Sequence, residues 1–275
     1  MNNIGNSLFT FHFSLFTMLL TIDIGNTNTT FGVFDSDNLT VKWRLSTVRD
    51  RTSDEIGVLL RQFFSTAGID YQKVHAIIAS SVVPQLDFAF QQMSEKYLGH
   101  SAIFVNHTFD FGFKINYNPP SSVGIDRFVD AFAAVHKYGK PCIVCDFGTA
   151  TTIDAVDSKS EYLGGIIVPG MNVLADALFQ KTAKLPKVEI KKPESVFGTS
   201  TAGSIQSGIY FGYIGLVDEI LRRMADALGE KPNFIATGGF ASLIAESSDL
   251  IEITDENLML EGLRLIYEKM NTDKN

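Results

Sequence analysis

Two short stretches of the chain share a pattern, aspartate, an apolar residue and glycine followed by threonines: Asp23-Ile24-Gly25-Asn26-Thr27-Asn28-Thr29-Thr30 and Asp146-Phe147-Gly148-Thr149-Ala150-Thr151-Thr152. Each sets an aspartate at the end of an apolar run, a glycine two places on, and hydroxyls beyond it. Such a turn can hold phosphate and its metal. A glycine removes the side chain where backbone N–H groups would approach phosphate oxygens. Asn26, Thr27, Asn28 and Thr29 add short donors, and Thr149 does so in the second copy. Asp23 and Asp146 suit an oxygen-seeking cation such as hydrated Mg²⁺. The chain has no GxxxxGK[ST], so this is not a Walker-type P-loop. A single turn of this kind also reads as a plain polar hairpin. Two copies at equivalent points read as the two sides of one nucleotide cleft, and phosphoryl transfer becomes the leading chemistry.

Val123-Gly124-Ile125-Asp126-Arg127 is the candidate reaction centre. Asp126 lies where a helix is predicted to start. There it would cap N–H groups and stay ionised, and an ionised carboxylate beside an alcohol can accept its proton. Arg127 would pair bidentately with a substrate carboxylate or with phosphate. The plainer alternative is a helix cap with a surface arginine beside it. Asp130, one turn on, reads as a solvated or supporting carboxylate. Thr237-Gly238-Gly239 follows a predicted strand and would let a flat adenine or ribose lie on backbone; an ordinary strand–helix turn has the same sequence.

The elements that must position these residues are legible as an α/β unit followed by a second of similar order. Strands are predicted at 19–23, 30–34 and 39–46, with a turn at 35–38. A helix is predicted at 53–67, a strand at 74–80, a helix from Pro84 towards Leu98, and a strand at 102–105. A helix from Asp126 to about Tyr138 precedes the second unit. That unit has strands at 142–145, 153–156, 163–168 and 233–237, and helices near 171–178, 204–228 and 257–270. The Lys- and Pro-containing stretch 186–193 reads as an exposed connection.

At 275 residues the chain is near the length at which one core divides into two. The expected division is 18–138 and 139–275. Residues 1–17 form an extension of uncertain status, with Met18 the expected natural start. Leu8–Phe16 is apolar, but it lacks a basic n-region and is too short to span a membrane. A net charge of −8 argues against a broad nucleic-acid surface. None of the histidines sits in a nucleophile or metal spacing. Cys142 and Cys145 lie in an apolar strand and face opposite sides. With no second pair for a zinc site, they read as buried residues in a reducing compartment.

Together these residues resemble the type III pantothenate kinases, of the acetate and sugar kinase/Hsp70/actin superfamily, from Met18 to about Met270. The resemblance implies duplicated ribonuclease-H-like (actin-like ATPase) domains flanking a nucleotide cleft, in a cytoplasmic homodimer. It implies ATP-dependent phosphorylation of pantothenate on its terminal hydroxyl, towards coenzyme A, with Mg²⁺ and a monovalent cation, K⁺ or NH₄⁺. On this chain the first phosphate motif falls on Asp23–Thr30 and the GxDR motif on Gly124, Ile125, Asp126 and Arg127. Asp126 is then the expected general base and Arg127 part of pantothenate recognition. Tyr117 matches a tyrosine lining the substrate pocket, Asp146 the monovalent-cation ligand, and Thr149 the second phosphate contact. Thr201 matches a threonine that reaches pantothenate from the partner subunit. Two departures stand out: the leader before Met18, and Thr199-Ser200 where Lys-Asn is expected. A kinase for another small alcohol, or a non-catalytic regulator that kept the nucleotide fold, would share the turns. Only the kinases would need Asp126.

Overall fold

The computed structural model describes residues 18–272. The expected extension at 1–17 lies outside the described residues. The first sheet opens with a meander of β1 (Met18–Ile24), β2 (Asn28–Asp35) and β3 (Asn38–Ser46). After α1 (Ser53–Thr66) comes β4 (Val74–Ser81), then α2 (Pro84–Met93) and β5 (Ile103–Phe104). The sheet order is β3-β2-β1-β4-β5, with β4 parallel to β1. β1 is buried on both faces, so its sequence reads as a nearly continuous apolar run. Leu20, Ile22 and Ile24 pack under α1 and α2, while Leu19 faces the opposite core.

Local sequence explains the helix starts. Thr52 and Glu55 form a capping box ahead of α1, and Pro84 occupies the first turn of α2, where its missing N–H costs nothing. The helix expected to run from Pro84 to Leu98 stays α only as far as Met93. Residues 94–98 continue as a wider π turn that ends at Gly99 in the left-handed region.

The second half repeats the plan. β6 (Lys114–Ile115) and α3 (Ile125–Tyr138) lead to β7 (Cys142–Phe147), β8 (Ala150–Val156) and β9 (Glu161–Pro169). Then come α4 (Met171–Lys181), α5 (Thr201–Leu228), β10 (Asn233–Thr237), α6 (Ala241–Ala245), β11 (Ile253–Thr254) and α7 (Leu258–Thr272). Here the order is β9-β8-β7-β10-β11, which matches the first sheet strand for strand, with β6 added beside β9. α5 begins at Thr201 rather than at the expected 204, because the Ser200 side chain accepts the Gly203 N–H. Residues 182–200 carry no regular structure, as the composition of 186–193 predicts.

The two halves share a layer. α3 and α7 pack on each other and on strands of both sheets, in a core that runs from Leu19 and Ile78 through Phe128 and Phe132 to Val144, Val156 and Leu263. β6 precedes α3 in sequence yet belongs to the second sheet. Cys142 faces this central core and Cys145 the opposite one, both as buried free thiols.

Candidate active site

The duplicated turns end the paired central hairpins at equivalent positions. Asp23 is opposite Thr30 in the β1–β2 register, and Asp146 is opposite Thr152 in β7–β8. Their tips meet, with Thr27 Oγ1 lying 2.7 Å from Thr149 Oγ1. The residues of the predicted phosphate set in the first turn differ in how far their groups are already engaged. The Gly25 N–H donates to the Asn28 carbonyl at 3.0 Å, so it closes the turn instead of pointing at a ligand. The Ile24 side chain is buried in the first core. Thr29 is buried with its hydroxyl 3.0 Å from that of Thr47, and Thr30 is half-buried in β2. Asn26, Thr27 and Asn28 remain as the exposed side chains at the tip.

Gly124 caps α3, Ile125 is its buried first residue, and Asp126 follows. The Arg127 N–H donates to Asp126 Oδ1 at 2.9 Å. A Cβ at residue 124 would lie 2.3 Å from that same oxygen, so only glycine lets the carboxylate fold over the helix start. The carboxylate expected to stay ionised at a helix cap is instead recessed. Burial raises its pKa, opposed by the Arg127 N–H and guanidinium.

Arg127 is not a free fork. Its Nε and Nη2 donate to Asp154 Oδ2 and Oδ1 at 2.9 and 2.6 Å, in a pair almost wholly buried. The Tyr162 hydroxyl donates to the same Asp154 oxygen at 2.5 Å, and the half-buried Tyr117 side chain also reaches the guanidinium. Bidentate pairing with a substrate carboxylate would have to displace Asp154. Sequence reading missed Asp154; its signal was an aspartate inside the apolar run Ile153–Val156. Asp130, read as solvated or supporting, is 5% exposed, so its solvated reading does not hold.

Asp23, Asp126, Asp130, Asp146 and Asp154 therefore gather where the sheets meet α3. Burial, then Asp126 and Asp146, push the Asp23 carboxyl up to about 8 against a small opposing pull from Arg44. Burial, then Asp126 and Asp154, raise Asp146 to about 7. Asp130 is raised well above the usual carboxylate range by burial and then by Asp146, Asp126, Asp23 and Asp154. Hard carboxylate oxygens in a site short of positive charge fit Mg²⁺ and monovalent cations. Among the described residues no three His, Cys, Asp or Glu side chains form a ready-made metal cage. A cation here would draw on fewer side chains and on other oxygens.

Gly238 belongs to this site. Its φ of +87° favours glycine, and a Cβ there would lie 2.3 Å from Asp146 Oδ1. The Thr237-Gly238-Gly239 turn thus fits closely over the second aspartate. Thr201 is exposed at the start of α5, and among the described residues no hydrogen bond joins it to the acidic group.

The family model for type III pantothenate kinase matches residues 19–223. A type III pantothenate kinase from Koribacter versatilis is 47% identical over 262 residues, covering 92% of this chain and 96% of the relative. One from Anaeromyxobacter sp. is 50% identical over 252 residues, covering 92% and 99%. Among solved structures, a Baf family protein from Campylobacter jejuni superposes with a TM-score of 0.59 at 22% identity, covering 92% of this chain and 99% of that one. The ethanolamine utilization protein EutJ from Carboxydothermus hydrogenoformans superposes at 0.51 and 14% identity, covering 90% and 89%. These two show the fold, the duplicated actin/Hsp70-like domains flanking a cleft. With that fold, the paired aspartate turns and relatives aligned along nearly their whole length, the chain belongs to the type III pantothenate kinase family.

Proposed function

We propose that this chain transfers the γ-phosphoryl group of ATP to the terminal hydroxyl of pantothenate, the step that commits pantothenate to coenzyme A. The observation that best supports this at the site is the convergence of Asp126 with two aspartate turns whose tips touch. As the hydroxyl oxygen attacks phosphorus in line, Asp126 takes its proton. The new P–O bond forms while the bond to the bridging oxygen breaks, and ADP leaves. Oδ1 of Asp126 is held by the Arg127 N–H, so Oδ2 is the accepting atom. Raised proton affinity makes this carboxylate a stronger base than an exposed one.

The exposed hydroxyls of Thr27 and Thr149, with Asn26 and Asn28, would exchange their present contacts for phosphate oxygens. Arg127 keeps Asp154 and, with Tyr117, presents its remaining edge to pantothenate. Asp146 would hold a monovalent cation, K⁺ or NH₄⁺, and Asp23 a hydrated Mg²⁺. When bound, these ions offset the charge of carboxylates and phosphates. Halves 18–138 and 139–275 would act as the two jaws. A homodimer would bring Thr201 to the partner's site. Its exposed position, four residues after Phe197, which is 85% exposed, supports this. Among the described residues no helix is long and apolar enough to cross a membrane, and a cytoplasmic enzyme is the reading we adopt.

The test is ATP-dependent phosphorylation of pantothenate followed by product mass, with Mg²⁺ and either K⁺ or Na⁺. We expect K⁺-dependent product, and an Asp126→Asn variant lowered roughly 10²–10⁴-fold in kcat. A folded wild type that makes no product with any cation overturns the assignment.

A further inference from the structure

The acidic group is short of positive charge. Arg127 is committed to Asp154, and Arg44 acts only weakly on Asp23. Asp126 has the Arg127 N–H and guanidinium beside it, which leaves Asp130 and Asp146 with only burial and other carboxylates acting on them among the described residues. Asp130 is the more deeply placed of these, and its buried Oδ1 has no hydrogen-bond partner among the described residues. It lies one helical turn after Asp126, so both project from one side of α3. Its electrostatic neighbours, in order, are Asp146, Asp126, Asp23 and Asp154, so it faces into the group rather than away from it.

A second orphan sits on the same side. Ser80 is level with Asp23 in the β1–β4 register, and its buried Oγ also has no partner among the described residues. Ala76 and Ile78, at alternating positions before Ser80, pack in the α3 core, as does Leu19 on the Asp23 face of β1. A buried carboxylate oxygen without a donor is costly. Surrounded by other carboxylates, the partner it lacks is a cation.

We propose that Asp130 Oδ1 is a second protein ligand of the monovalent cation anchored by Asp146, so that a pair of carboxylates holds the ion. This rests on the cation reading of Asp146 given above. K⁺ would take the oxygens directly, and NH₄⁺ would donate hydrogen bonds to them. A pair fits a site with no three-residue cage among the described residues. The remaining ligands would be hydroxyl, carbonyl or phosphate oxygens.

The test uses the full chain without nucleotide, following its thermal unfolding midpoint against KCl, with choline chloride holding ionic strength constant. The wild-type midpoint should rise with K⁺. Asp130→Asn and Asp130→Ala should need roughly 10–100-fold more K⁺ for half of that rise, a loss of the size seen when groups supporting a metal site are removed. The asparagine variant keeps the shape of the site. In choline alone it should be more stable than wild type, because a carboxyl no longer has to be buried among other carboxylates. Asp146→Asn is the control and should lose the K⁺ response.

If Asp146→Asn loses the response and both Asp130 variants keep the wild-type half-point, the Asp130 inference fails while the cation reading stands. If Asp146→Asn also keeps it, or wild type does not respond, both fail. An Asp130 effect seen with MgCl₂ and not with KCl likewise overturns the proposal.

Discussion

The β1–β2 turn and the β7–β8 turn are copies in topology and differ in what holds them. The first is braced by side chains. Thr47 Oγ1 donates to the Gly25 carbonyl at 2.7 Å and lies 3.0 Å from Thr29 Oγ1, while the Thr47 N–H donates to the Thr27 carbonyl at 2.9 Å. The second is braced by close backbone packing and by a distant helix. The Gly170 N–H donates to the Thr149 carbonyl at 3.0 Å, and Gly238 lies over Asp146. The Tyr213 hydroxyl from α5 donates to the Pro169 carbonyl at 3.1 Å and lies 2.6 Å from Thr151 Oγ1. The same kind of tip can therefore be built from hydroxyl networks or from glycine contacts. Only the second ties the tip to the helix that begins at Thr201.

The strongest way to break the contrast is Gly238→Ala. A side chain at φ +87° with its Cβ on Asp146 Oδ1 should cost about 2–5 kcal/mol, combining backbone strain and overpacking. Chemical denaturation would measure it, and a cost near zero would remove the distinction between the turns.

Next in size is a pH effect that both turns should share. Asp23 is raised in the fold from 3.8 to about 8 and Asp146 from 3.8 to about 7. The native state therefore binds more protons than the unfolded chain across this range. The stability these groups contribute is complete below about pH 4 and is lost as pH rises towards 7 or 8. Without added Mg²⁺ or K⁺, Asp23→Asn and Asp146→Asn should each flatten the fall of the unfolding midpoint between those limits. A wild-type slope retained in both variants would contradict it.

Smaller again, Thr47→Val should loosen the first turn and Tyr213→Phe the second, each by about 1–2 kcal/mol for the hydrogen bonds lost. Hydrogen exchange should place each change in its own turn. Exchange that rises equally in both turns would mean they share one brace. The smallest effect belongs to Thr27→Val or Thr149→Val, which removes an exposed contact. Stability should change by less than about 1 kcal/mol, while KM for ATP rises several-fold. An unchanged KM would remove these hydroxyls from the phosphate site.

Much of this was readable in residue order. Strands that carry Asp23 and Asp146 near their ends, the threonine-rich turns and the helix after Gly124 follow from apolar alternation and punctuation by glycine. The failures were of partnership. Nothing local in Arg127 says that its fork is taken by Asp154, 27 residues away. Nor does the spacing from Asp126 to Asp130 say which carboxylate faces water, since both lie on one side of the helix and burial depends on what packs there. Thr29 looked like one more phosphate donor, and its diversion to Thr47 depends on the path of the chain beyond β3.

The layer shared by α3 and α7 has a consequence for how the molecule is made. Leu19, Ala76 and Ile78 of the first sheet lie in the same core as Leu258, Leu260, Leu263 and Ile266 of α7. During synthesis from the N-terminus, the first sheet is finished when β5 is made, yet part of its cover is encoded near the end of the chain. One apolar face of that sheet must wait, exposed or provisionally covered, while the whole second half is translated. The nascent chain is thus most vulnerable to aggregation in the interval between β5 and α7, and an isolated fragment ending at Tyr138 would keep α3 but never gain the part of the cover that α7 supplies.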